Sequence, residues 1–216
     1  EHGVPNDADV LLNAGEPHSA WSGGFHWQDR HAADAVERFV KNGGGLIGAG
    51  APSHFPKDGS TWQLGPLLGV EFADSIREGE GDDGSFSRYD AAFLRKGPKP
   101  DWRGAYRKTE IAHWITADLP SEPDPMLTKV RPRPVTDDLQ LLCSGDGETF
   151  CPPVVAVREA GRGRAAYLNG YSTAPDYGSV LRRAVFWAAG KEELWNRLGS
   201  GDQHVLTYFY PSARLA

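Results

Sequence analysis

His18, His26 and His54, Trp21 and Trp27, and the Ser22-Gly23-Gly24 step are the residues of this 216-residue chain best suited to binding a polar ligand. They lie in two stretches, "GEPHSAWSGGFHW" and "APSHFPKDGSTW". The glycine pair exposes backbone N–H groups with no Cβ in the way of an anion or a sugar hydroxyl. An indole face can stack on a sugar ring, and an imidazole can hydrogen-bond to it. Taken singly, each residue has a plainer use. Gly-Gly before a helix is turn chemistry, tryptophan more often fills a core, and histidine more often sits satisfied at the surface. Their concentration in two loops points to binding.

Covalent and metal chemistry are poorly provided for. "GLIGAGAP" stands where a hydrolase-type or glutaminase-type fold carries its nucleophile on a strand-to-helix elbow, and the candidate positions hold Ala49 and Ala51. "GGGLIGAG" crosses a turn and a strand, whereas a dinucleotide site needs its glycines between strand and helix. No CxxC, HExxH or EF-hand spacing occurs, so no structural metal is expected. Cys143 and Cys151 flank a "SGDGETF" turn and have no evident histidine partner. A disulfide across that hairpin fits the spacing. Two reduced thiols are the favoured reading for a cytosolic chain.

The two loops must be held by the elements around them. "DVLLNAG" is a short apolar run bounded by turn residues, as a buried strand of a parallel sheet reads. "DRHAADAVERFVKNGGG" predicts a helix, with Asp29 as N-cap, Ala32, Val36, Phe39 and Val40 at helical spacing, and residues 43–45 closing it. "GLIGAG" is a second buried strand, which completes a βαβ unit. In open α/β sheets ligands bind beyond the carboxyl ends of the strands, and both loops leave such ends side by side.

"TWQLGPLLGVEF" predicts a short helix ending near Gly69 and then a strand. Residues 77–110 read as a long irregular excursion, and "PSEPDPMLTKVRPRPVT" as an extended connection. "DLQLLCSG" and "PVVAVREAGRGRAAYLNG" predict strands with hairpin turns at Gly145-Asp146-Gly147 and Gly161-Arg162-Gly163. "YGSVLRRAVFWAAG" predicts a helix capped by Gly190, which "KEELWNRL" continues. The sum is an α/β fold with a mainly parallel sheet flanked by helices and an antiparallel hairpin towards the end. The chain opens in what would be the second strand of a flavodoxin-like sheet, so the first strand is expected to be missing. It also begins without a methionine and without a basic-then-apolar leader, and reads as a fragment.

Twenty-three basic residues against 29 acidic ones give a net charge of −6, which argues against a nucleic-acid or membrane-surface binder. No apolar run approaches the roughly 20 residues needed to span a bilayer.

Several runs, in this order and spacing, resemble one family: "DVLLNAGEPHSAWSGG", "FVKNGGGLIGAGAPS", "WQLGPLLGVE", "HWITADLP", "GRGRAAYLNGY" and "LRRAVFWAAGKEELW". The family is that of the lacto-N-biose phosphorylases, or 1,3-β-galactosyl-N-acetylhexosamine phosphorylases (glycoside hydrolase family 112), and the likeness is to its central domain. The resemblance covers roughly residues 3–198, and residues 199–216 look like the opening of the family's C-terminal β domain.

The resemblance implies a three-layer domain like that of class I glutamine amidotransferases, without their cysteine, set beside an N-terminal barrel domain of the same enzyme that carries the catalytic acid. It implies reversible, inverting phosphorolysis of a β-galactoside to galactose 1-phosphate. Inorganic phosphate is then co-substrate and no cofactor is needed. A cytoplasmic homo-oligomer is expected, binding sugar and phosphate but neither nucleic acid nor membrane. The expected phosphate and substrate wall is Trp21, Ser22, Gly23, Gly24, His26, Pro52 and Ser53, with no catalytic residue on this chain.

Two departures stand out. The family's pattern has a glutamate after the second strand's glycine, where this chain has Ala51, and its polar segment near residues 71–90 is replaced by "ADSIREGEGDDGSFSRYD". The alternative reading is a non-catalytic domain for oligomerisation or carbohydrate binding, attached to a glycosidase.

Overall fold

The computed structural model describes residues 3–5, 7–15, 24–54, 62–75, 106–119, 130–145, 153–169 and 175–195. Strand β1 (Val10–Gly15), a 3-10 helix (Gly24–Gln28), helix α1 (Arg30–Lys41) and strand β2 (Gly45–Gly50) follow one another as the sequence pattern requires. Asp29 caps α1 by accepting from the His31 amide at 2.9 Å. The hydrogen bonds from His31 hold its carboxyl below the usual range. Short helix α2 (Gly65–Leu68) ends at Gly69 with a φ of 77°, which a side chain would oppose. Strands β3 (Val70–Ser75), β4 (Tyr106–Lys108), β5 (Val130–Pro134), β6 (Gln140–Gly145), β7 (Pro153–Ala160) and β8 (Gly163–Leu168) follow, then helices α3 (Pro175–Ala188) and α4 (Glu192–Trp195).

Six strands form one sheet in the order β1-β2-β8-β7-β6-β4, and β3 pairs with β5 in a separate ribbon. The β1–β2 and β2–β8 pairings are parallel. The β8–β7, β7–β6 and β6–β4 pairings are antiparallel. The sheet is therefore mixed, parallel at one end and antiparallel at the other, rather than mainly parallel. The hairpin at residues 161–163 reverses the chain without a crossover. β7 is nonetheless buried on both faces along most of its length, which gives it the unbroken apolar run usual for a parallel strand.

Other expectations also need correction. Residues 106–108, assigned to the irregular excursion, are a strand on β6, and 130–134, assigned to the connection, pair with β3. "YRK" and "VRPRP" are too polar or too rich in proline to show the alternation that marks a half-buried strand. β1 and β2 are hydrogen-bonded neighbours, whereas a flavodoxin-like order places the first strand between the second and third. The remainder of the excursion, the Gly145-Asp146-Gly147 turn beyond Gly145, Cys151 and residues 199–216 lie outside the described residues.

Successive residues of β2 and β8 enter two different cores. Leu46, Ala165 and Tyr167 pack with Ala33 and Val40 of α1 and Leu68 of α2. Ile47, Ala49, Ala166 and Leu168 pack with Val180, Ala184 and Trp187 of α3. Period-two alternation with both faces apolar is why these strands are almost uniformly hydrophobic. Gly48 lets β2 and α2 pack closely: a Cβ there would come within 2.4 Å of the Leu68 side chain, which would have to shift.

Candidate functional site

The parallel end of the sheet brings the carboxyl ends of β1 and β2 together. Gly15 is in register with Gly50, and the Ala51 amide donates to the Gly15 carbonyl at 2.8 Å. Residues 51–54 then form a buried turn. Tyr167, reaching across from β8, donates its phenol to the Gly50 carbonyl at 2.8 Å. His54 makes an isolated antiparallel bridge with Trp62, so the chain returns beside the turn it left.

Ser53 is the centre of this turn. Its φ is 53°, in the left-handed region, and its side chain is fully buried. Its amide donates to Asn13 Oδ1 on β1 at 2.6 Å. Its hydroxyl donates to the Pro52 carbonyl at 2.6 Å and accepts from the Leu64 amide at 2.8 Å. A serine committed in this way is a structural tie. Its one proton is held by a carbonyl, and a nucleophile would need that proton directed at a base.

Of the expected wall, Trp21, Ser22 and Gly23 lie outside the described residues, as does His18. Gly24 opens the 3-10 helix that leads into α1. His26 is exposed, and its carbonyl accepts from the Asp29 amide at 3.1 Å. Trp27 packs half-buried against the α1-side core, so its ring serves packing. Pro52 and Ser53 are buried together, and His54 is buried with its ring 6.5 Å from that of Phe72.

Ala51 is fully buried in the same core, so the carboxylate of the family pattern would have to be desolvated here. The residue missed from sequence is Asn13. Its signal was a lone amide in the apolar run "VLLNAG", and its partner is 40 positions away.

Cys143, in β6, is buried and unbridged, and burial pushes its thiol up to about 12. Such a thiol is not a nucleophile near neutral pH. Among the described residues no three His, Cys, Asp or Glu side chains gather as metal ligands. No described helix is long and apolar enough to cross a membrane.

Fold and strand-end geometry thus define a mixed α/β domain whose described serine turn and buried cysteine are both withheld from nucleophilic chemistry. Residues 1–193 match the family described as the lacto-N-biose phosphorylase central domain, and the chain belongs to that family. A 1,3-β-galactosyl-N-acetylhexosamine phosphorylase of Lachnoclostridium phytofermentans is 28% identical over 98% of this chain and 25% of its own length. One from Bifidobacterium longum is 23% identical over 99% of this chain and 29% of its own. A D-galactosyl-β-1,4-L-rhamnose phosphorylase of L. phytofermentans is 26% identical over 88% of this chain and 22% of its own. The chain spans about a quarter of the length of the curated relatives it matches.

Proposed function

We propose that this chain is the amidotransferase-like central domain of a β-galactoside phosphorylase, and that its strand-end loops form one wall of the active site. The family match over residues 1–193 carries the reading. The names of the relatives share a galactosyl unit and phosphorolysis and differ in the acceptor sugar and linkage. The galactosyl donor is therefore the constant part of the proposal, and the acceptor is the part to be measured.

In the proposed reaction a phosphate oxygen attacks the anomeric carbon with inversion while the glycosidic bond breaks. An acid on a barrel domain elsewhere in the enzyme protonates the leaving oxygen, and galactose 1-phosphate is released. Phosphate replaces the activated water of an inverting hydrolase, so this wall need supply only an anion and sugar site. Trp21, Ser22, Gly23, Gly24 and His26 would face the ligands. Pro52 and Ser53, being buried, would act by shaping the turn beneath. The enzyme would need no cofactor and work as a cytoplasmic homo-oligomer, with residues 199–216 opening its C-terminal β domain.

The test is phosphate-dependent release of galactose 1-phosphate by the full-length gene product. Galactosyl-β-1,3-N-acetylhexosamine and galactosyl-β-1,4-rhamnose are the substrates to compare. Turnover of either supports the reading, and a bulky residue in place of Gly23 should then raise KM for phosphate. No phosphate-dependent cleavage of either disaccharide overturns it.

A further inference from the structure

Ser53 is the only residue other than glycine with positive φ among the described residues. Such a conformation is strained for a residue with a side chain and persists only where its surroundings over-determine it. Here they do. Asn13 holds the Ser53 amide, Leu64 and Pro52 hold its hydroxyl, Gly15 holds the Ala51 amide, and Tyr167 holds the Gly50 carbonyl. The Asn13 contact is the side-chain tie that joins β1 to the turn after β2. It fixes the point where the chain leaves β1 relative to the point where it leaves β2. Those are the two places from which the wall of a strand-end site departs.

We propose that Asn13 is a positioning residue for phosphorolysis. It acts through the Ser53 amide to hold the turn at residues 51–54 in the geometry that galactoside binding requires, and it touches no substrate itself. The inference rests on the phosphorylase reading above. A purely structural asparagine would affect stability alone, so the useful readout is the split between KM and kcat, with rescue by a residue that keeps the acceptor oxygen.

In the full-length gene product Asn13→Ala should raise KM for the neutral disaccharide about tenfold while kcat stays within about threefold, since small misplacements of a binding wall are costly. Asn13→Asp, which retains an oxygen acceptor for the Ser53 amide, should return that KM to within about threefold of the wild type. Should Asn13→Ala not fold, Asn13→Ser replaces it: its hydroxyl ends one bond short of the Asn13 amide oxygen, the tie to the Ser53 amide is lost, and the same rise in KM is expected.

An unchanged KM in the folded variant, or a rise that Asn13→Asp does not reverse, overturns the positioning role and leaves the phosphorylase reading standing. A wild-type protein without phosphorolysis overturns both.

Discussion

His113 shows how one side chain in this domain links packing to pH. It caps a 3-10 helix (Trp114–Thr116) by accepting the Ile115 amide on Nδ1 at 3.2 Å, and its ring meets the Trp187 ring edge-on with centroids 5.4 Å apart. Burial pushes the imidazole below its ordinary value. The nearby Arg164 guanidinium pushes the same way, and Glu192 opposes them. The native state therefore takes up the proton less readily than the unfolded chain. Its contribution is fully present above the unfolded value of about 6.5 and declines as pH falls through it toward the lower folded value. Protonation of Nδ1 would also remove the acceptor that caps the helix. His113→Asn keeps a capping acceptor without a titrating group, so its stability should fall less than that of the wild type between pH 7.5 and 5. Denaturant titrations at intervals across that range decide it, and parallel curves would show that His113 is not the titrating group.

At the scale of elements, the turn residues decided what could be read in advance. Asp29, Gly69 and Gly161 each have one conformational use, so the start of α1, the end of α2 and the β7–β8 hairpin were legible in the sequence. The share of antiparallel pairing in the sheet was not, because the polar "YRK" of β4 hides a strand and burial on both faces gives parallel and antiparallel strands the same composition. The tie between Asn13 and Ser53 was not legible either. It depends on the β1–β2 register, which no local pattern encodes.

The β7–β8 hairpin does more than reverse the chain. The Arg162 amide donates to the Lys41 carbonyl at 3.1 Å, and Gly163 lies so close to the end of α1 that a Cβ would sit 2.2 Å from the carbonyl oxygens of Val40 and Gly44. These are backbone atoms, which cannot swing aside as a flexible side chain would. Gly163→Ala should therefore destabilise the protein by about 3 kcal/mol, the upper range for overpacking. A loss under about 1 kcal/mol, measured by chemical denaturation, would show that the hairpin and α1 separate easily.

For the whole molecule, the question is whether the two cores act as one. Leu46 and Ile47 are neighbours on β2, both fully buried, yet one belongs to the core under α1 and α2 and the other to the core under α3. The first core also contains Leu64, Trp62 and Tyr167, which frame the strand-end turn, so its integrity bears directly on the site. Truncating either residue to alanine removes packed methyl groups and leaves a cavity, at a cost of about 2–5 kcal/mol. The side chains belong to separate cores on opposite faces of the sheet, so the costs in the double variant Leu46→Ala/Ile47→Ala should add to within about 0.5 kcal/mol. The same comparison separates stability from function. Leu46→Ala should loosen the turn around Ser53 and speed amide hydrogen exchange at Ala51 and Leu64. Ile47→Ala, at equal loss of stability, should leave those amides protected under native conditions. Equal exchange in the two variants would mean that the strand-end turn opens only with global unfolding, and that the sheet transmits damage across its faces.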